Sequence, residues 1–330
     1  MNGVKNHTTD SEGQIKIPIH KITPNNYDVK IKFDGNNHYI GTSTQTTVIV
    51  KKATSEITAN SVTTIYNTAK NLVITLKDNA GNPITNTSLS VELNGATNHT
   101  TDENGQIKIS THNLATGNYN VKIKFDENSY YMGASTQTAV IVKKATAEIT
   151  ANNVTTIYNT AKNLVITLKN SAGNPIINTS VSVNLKGIKN YTTDEKGQIK
   201  IPVQKLTPKT YVAKVSYSGD NNYVGSDSYG VVVVKKITSK LTAKAKTFKV
   251  KTKTKKYSVI LKTNKNKAIK NTKVYLKVNG KTYAAKTNKK GKATFKITKL
   301  TKKGKFTAVV TYKGSAYYNK TTKNVKITTR

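Results

Sequence analysis

A fixed period of 92 residues runs through the chain. It limits the fold more than any local motif does, because a segment that recurs is a unit that packs the same way each time. Lys51-Lys52 returns as Lys143-Lys144 and Lys235-Lys236, Glu56 returns as Glu148, and Gly13-Gln14-Ile15-Lys16-Ile17 returns as residues 105–109 and 197–201. The last stretch keeps the frame more loosely: Gly291 stands where Gly197 does, and 312–318 follow 217–223. With boundaries after each Lys-Lys pair, the frame divides the chain into 1–52, 53–144, 145–236 and 237–330.

Inside a repeat, the runs Leu164–Leu168, Val181–Leu185, Gln198–Ile201 and Tyr211–Tyr217 are short, rich in β-favouring residues and in several cases alternate with period two. Turn residues separate them, with Gly173-Asn174-Pro175, Asn94-Gly95 and Asp194-Glu195-Lys196-Gly197 marking tight connections. No helical period competes. About seven strands in about 90 residues predict an all-β chain of tandem immunoglobulin-like antiparallel β-sandwiches. In Lys273–Val278 and Lys292–Ile297 lysine mostly takes one parity and apolar residues the other. That alternation predicts a folded, divergent domain over 237–330 with lysines on the outer strand faces, and a disordered basic tail would not show it.

Residues 1–52 align with 93–144: Met1 falls where Leu93 does, and Asn6–Asp10 matches Asn98–Asp102. They read as the C-terminal half of a repeat, whose inner face and sheet edges lack their partners. Two expectations follow: a fragment of a longer surface protein, or a half sandwich that another chain completes by strand addition. The first 30 residues show no apolar secretory segment, and no apolar run approaches membrane-spanning length.

Charge enters once it is divided along this frame. The chain carries 54 Lys+Arg against 16 Asp+Glu, a net charge of +38. Residues 1–52 hold 7 basic and 4 acidic residues, 53–144 hold 7 and 7, and 145–236 hold 11 and 5; residues 237–330 hold 29 and none. Like charge at that density repels itself, and a polyanionic partner that neutralises it is the simplest reason to tolerate it. The expected binding residues are the strand lysines Lys273, Lys277, Lys292 and Lys296, with Lys302, Lys303 and Lys305. Nucleic acid is the rival partner, since Tyr275, Tyr283, Tyr317 and Tyr318 could stack on bases. Against it, Arg330 is the one arginine among those 29, whereas bidentate phosphate and guanine recognition favours arginine. Lysine spread over strand faces suits diffuse attraction to an anionic polymer or surface, anionic headgroups included.

Catalytic chemistry finds little support. There is no cysteine, which excludes disulfides, thiolate metal sites and cysteine nucleophiles. His7 and His99 are replaced by Tyr191 in the frame, and His20 and His112 by Gln204, so these histidines read as surface or loop residues. Asp10, Asp102 and Asp194, with Asp34, Asp126 and Asp220, are explained by turns without calcium. Tyr27, Tyr119 and Tyr211 have two readings: a tyrosine that closes a corner, or a core aromatic, the latter supported by Phe306 at the same place. Seven Asn-x-Ser/Thr sequons, at Asn6, Asn86, Asn98, Asn153, Asn178, Asn190 and Asn319, are compatible with a glycosylated exterior. No enzyme activity, cofactor or metal is expected.

The run Thr193-Asp194-Glu195-Lys196-Gly197-Gln198-Ile199, followed by Tyr211 and by Val215 to Tyr223, resembles bacterial Ig-like domains of group 3 and their invasin-like relatives. The Asn/Thr-rich wording and the lysine-rich last module further resemble the adhesin-like surface proteins of methanogenic archaea. The resemblance covers nearly the whole chain and implies a non-enzymatic, extracellular tandem-domain stalk. It brings no catalytic residues. Repeats acting as spacers and a C-terminal module held on an anionic cell-wall polymer are the resulting expectation. Glycan binding, nucleic-acid binding and the remnant of a larger surface protein, an enzyme included, are the alternatives.

Overall fold

The computed structural model describes residues 3–19 and 22–330; Met1 and His20, which enter the repeat alignment, lie outside the described residues. Every regular element among them is a strand. The chain divides into two compact units, Met1–Ala145 with Asp220–Tyr223, and Thr146–Gly219 with Val224–Arg330.

The first unit opens with β1 (Asn25–Gly35) and β2 (Ile40–Val50), an antiparallel hairpin that pairs Asn25 with Val50. Eight strands follow: β3 (Ser55–Ala59), β4 (Val62–Ile65), β5 (Asn71–Asp78), β6 (Ser88–Glu92), β7 (Ala96–Thr100), β8 (Gln106–Ser110), β9 (Gly117–Phe125) and β10 (Ala134–Lys143). They form a sandwich of a three-stranded sheet, β3-β5-β8, and a five-stranded sheet, β4-β10-β9-β6-β7. The count exceeds the expected seven because the opening strand breaks at Asn60-Ser61 and changes sheet. Its first part pairs antiparallel with β5, and its second runs parallel to β10. Sandwich corners are made this way, by a strand that passes from one sheet to the other.

Alternation supplies the core. Leu72, Ile74 and Leu76 project inward from β5 and meet Val121, Ile123, Phe125 and Val140 from the facing sheet. Each such side chain contributes about 1.5–3 kcal/mol when taken out of water. The Asn94-Gly95 turn between β6 and β7 has positive φ at both residues, 57° and 118°, a backbone that Asn and Gly adopt most readily. Gly105, at φ 66°, is required twice over, since a Cβ there would also strike the carbonyl oxygen of Leu76.

The second unit begins with β11 (Ala145–Ala151), β12 (Val154–Ile157), β13 (Asn163–Asn170), β14 (Ser180–Asn184), β15 (Ile188–Thr192), β16 (Gln198–Pro202), β17 (Thr210–Gly219) and β18 (Tyr223–Lys235). The same strand plan holds, joined into one eight-stranded sheet through the contact of β11 with β18. Then come β19 (Ser239–Thr242), β20 (Lys246–Phe248), β21 (Lys255–Thr263), β22 (Lys273–Val278), β23 (Lys281–Lys286), β24 (Lys292–Ile297), β25 (Gly304–Tyr312) and β26 (Thr321–Thr329). They build a three-stranded sheet, β19-β21-β24, against a five-stranded one, β20-β26-β25-β22-β23. Their core, with Tyr257, Leu261, Phe295, Leu276, Val310 and Ile327 at its centre, uses residues of 237–330 alone.

One lysine breaks the outward rule. Lys255 is 2% exposed, and its ammonium donates to the carbonyls of Val250 and Thr252 at 3.1 and 2.8 Å. A buried charge of this kind is tolerable because backbone oxygens replace its hydration. The Lys-Lys pairs that mark the frame also have a structural reason. The Lys144 amine donates to the Asp220 carbonyl at 2.6 Å and that of Lys236 to the Ser315 carbonyl at 2.7 Å, while Lys52 lies 3.3 Å from the Glu127 carboxylate.

The half repeat keeps the counterparts of β9 and β10 without keeping their burial, and its residues 4–8 and 14–18, which stand where β7 and β8 do, form no strand. Ile31 and Phe33 on β1 are 47% and 42% exposed, and their counterparts Ile123 and Phe125 on β9 are 1% and 3% exposed. Ile15 is 41% exposed against 4% for Ile107.

Candidate polyanion-binding face

In β21 the residues Tyr257, Val259 and Leu261 point into the core, so Lys256, Ser258, Ile260 and Lys262 take the outer face. In β24 the core positions are Ala293, Phe295 and Ile297, which leaves Lys292, Thr294 and Lys296 outside. Register then decides which lysines face each other. Lys256 lies opposite Lys296, and Lys240 of β19 lies opposite Lys262. Between those pairs the Ser258 and Thr294 hydroxyls share a hydrogen bond of 2.9 Å, and Lys292 lies opposite Ile260. Directly opposed residues place their Cβ atoms about 4.5–5.5 Å apart, and like charges there are destabilising.

The same places in the two preceding sandwiches carry the opposite pattern. Glu56 faces Lys77 and Glu148 faces Lys169 where Lys240 faces Lys262. Asn71 faces Ser110 and Asn163 faces Pro202 where Lys256 faces Lys296. A face that in those repeats sets a glutamate against a lysine and carries one further lysine, Lys108 or Lys200 opposite a valine, holds five lysines and no acidic residue in the last sandwich.

The seven lysines expected from sequence do not form one site. Lys292 and Lys296 belong to this face. Lys273 and Lys277 project from β22, on the outer face of the five-stranded sheet and so on the other side of the sandwich. Lys302 and Lys303 lie in the connection after β24, and Lys305 follows the first residue of β25. Sequence reasoning missed Lys240, Lys256 and Lys262. Lys240 was detectable, because it falls where Glu56 and Glu148 fall in the frame, but its neighbour across the sheet is set by pairing. Along the free edges of β23 and β24 an open groove of about 480 Å³ adds Lys286 and Tyr283 to Lys292 and Lys296.

The aromatics proposed for base stacking are largely engaged. Lys313 sits over the Tyr275 ring at 4.9 Å, the Tyr283 hydroxyl accepts from the Lys299 amide at 3.0 Å, and Tyr317 packs on Tyr158 with ring centroids 4.6 Å apart. None presents a row of free rings.

Other singled-out residues have structural roles. Asp102 and Asp194 each accept two amide hydrogens of their own turn, from Asn104 and Gln106 and from Lys196 and Gln198, at 2.8 to 2.9 Å. The Gln198 amide, with help from Lys196 and Lys200, holds the Asp194 carboxyl below its ordinary pKa. Asn288 makes the same two bonds in the last sandwich without a charge. The Tyr27, Tyr119 and Tyr211 hydroxyls donate to carbonyls four residues upstream, at 2.7, 2.9 and 3.0 Å, which makes them corner tyrosines; Phe306 has no hydroxyl for that bond. His99 meets the Thr97 hydroxyl at 2.9 Å, and His112 lies half-buried in the turn after β8. All seven sequon asparagines are exposed. No three His, Asp or Glu residues converge among the described residues, and no helix there is long and apolar enough to cross a membrane.

The strand order, the sheet-switching opening strand and the corner tyrosines define a tandem immunoglobulin-like β-sandwich protein whose last sandwich is faced with lysine. No family model matches the chain, and no curated protein matches it. Solved structures match the chain at low identity and low TM-score. An adhesin described as Ca2+-stabilized and as helping an Antarctic bacterium bind ice is 15% identical, over 98% of this chain and 86% of that one, with a TM-score of 0.31. Invasin, a bacterial integrin-binding protein, is 15% identical, over 83% of this chain and 60% of that one, with a TM-score of 0.41. The I67–I69 fragment of titin is 11% identical, over 84% of this chain and 98% of that one, with a TM-score of 0.34. At these values neither calcium nor any partner carries over; the fold rests on this chain's own sheets.

Proposed function

We propose that the chain is a non-enzymatic, adhesin-like protein of the cell surface, in which the sandwiches of 53–144 and 145–236 act as spacers and 237–330 binds an anionic polymer of the envelope. The observation that carries this reading is the contrast between a folded domain with 29 basic residues and no acidic one and a neighbouring repeat whose basic and acidic residues balance at 7 and 7. Lysine is a hydrated point charge, suited to diffuse attraction to repeated anionic groups and poorly suited to bidentate readout of bases. The archaeal and extracellular assignments belong to the same proposal and rest on the resemblance of the sequence.

The test is co-sedimentation of the full chain, and of a chain ending at Lys236, with purified envelope polymer across a salt series. The full chain is expected to bind and the shortened one to lose most binding. If counterion release drives association, log affinity falls linearly with log salt, by on the order of a thousandfold between 50 and 200 mM for about six charges engaged, by analogy with duplex DNA. Binding that ignores salt, or that survives removal of 237–330, would overturn the proposal. Preference for duplex or single-stranded nucleic acid over the polymer would move the function to the rival class.

A further inference from the structure

We propose that the outer face of β19, β21 and β24 is the specific docking face for an anionic polysaccharide, and that occupancy of this face stabilises the sandwich beneath it. The inference rests on the function proposed above and narrows it from a charged domain to one sheet face.

Three features of the face carry it. First, Lys256 with Lys296 and Lys240 with Lys262 are opposed like-charge pairs, where the preceding sandwiches place Glu148 against Lys169 and Asn163 against Pro202. Opposed lysines cost stability in the free domain, and that cost is returned when an anion sits between them. Second, the pairs are spaced for a chain. Lys256 and Lys262 are six positions apart on one strand, about 20 Å at about 3.3 Å per residue, so one compact anion cannot serve both and an extended polymer can. Third, the ground between the pairs suits sugar: the Ser258 and Thr294 hydroxyls offer hydrogen bonds, and Ile260, 38% exposed, offers a small apolar patch. Arg330 is the one arginine of the domain, so the charges of this face are lysine ammonium groups, point charges that attract the repeated anionic groups of a polysaccharide.

The outer face of the five-stranded sheet is the internal control. It also displays lysines, but Lys273 faces Lys286 as the single directly opposed like-charge pair of that sheet, and Lys277 faces Thr282 and Val309.

The experiment uses the full chain and polygalacturonate as probe, with polyphosphate and duplex DNA as comparison polymers. One variant, K240E/K256N/K292Q/K296S, places on the face residues that the other sandwiches carry there. A second, K273S/K277E/K305T/K326T, lowers the net charge by the same five on the other sheet. The first is expected to lose about tenfold or more in polygalacturonate affinity at low salt and to show a shallower salt slope, the second to lose about twofold. Segment-resolved hydrogen exchange supplies the second readout. In the wild-type chain polygalacturonate slows exchange in β21 and β24 more than in β22 and β25, and in the first variant exchange there is already slower without polymer. Equal loss of affinity in the two variants would sink the specific face while leaving a charged binding domain intact. Failure of the wild-type chain to bind any of the three polymers would sink the function itself. Tighter binding of polyphosphate or DNA than of polygalacturonate would overturn the choice of ligand, and faster exchange in the unliganded first variant would overturn the coupling to stability.

Discussion

The hairpin of β1 and β2 and the hairpin of β9 and β10 carry nearly the same words, Tyr27-Asp28-Val29-Lys30-Ile31-Lys32-Phe33 against Tyr119-Asn120-Val121-Lys122-Ile123-Lys124-Phe125. Both form antiparallel pairs in the same register, Val29 with Thr46 and Val121 with Thr138. Both close the tyrosine corner. What differs is cover: Ile123 and Phe125 lie under Leu72, Ile74 and Leu76, whereas Ile31 and Phe33 stand open to solvent. The pair separates what a strand does by itself from what the second sheet contributes. Pairing, turn and corner need only the hairpin's own residues, and the hydrophobic stabilisation needs the rest of the sandwich.

The largest effect to test is protection from exchange. Amides of β9 and β10 are expected to exchange only through unfolding of the sandwich, and those of β1 and β2 several powers of ten faster, for a domain stability of about 5–15 kcal/mol. Equal protection in native-state hydrogen exchange would show that the first hairpin is covered after all. Next comes a paired substitution. Ile123→Ala is expected to cost about 2–5 kcal/mol in denaturant unfolding of 53–144, and Ile31→Ala less than about 0.5 kcal/mol in any unfolding transition of the full chain. Similar losses would erase the comparison.

Tyr119→Phe removes one hydrogen bond, to the Ala115 carbonyl, and should lower the stability of its sandwich by about 1 kcal/mol. Tyr27→Phe removes the equivalent bond to Thr23 and should leave global unfolding unchanged while loosening the amides around Thr23. The smallest effect is acid sensitivity. The Asp194 carboxyl has a depressed pKa in the folded state, so its turn contributes stability above the ordinary carboxylate pKa and loses it as pH falls through the folded value. Exchange around Gly197 should therefore quicken below about pH 4 relative to its intrinsic rate, and exchange around Gly291, whose turn uses Asn288, should not.

Most of the architecture was legible in the chain before folding. The frame of repeats, the strands, the Asn94-Gly95 turn, the Asp194 turn and the position of the corner tyrosines follow from residue order, because they depend on pleat geometry and on contacts within a few residues. Alternation likewise announced that lysines such as Lys292 and Lys296 would face outward. Tertiary structure alone decided three other things. It split Lys273 and Lys277 from Lys292 and Lys296, since parity says in or out but not which sheet. It turned Lys255 inward, where carbonyls of Val250 and Thr252 stand in for water. And it set Lys256 against Lys296 and Lys240 against Lys262, because the residue across a strand is chosen by register between segments distant in the chain, a relation that no local pattern encodes.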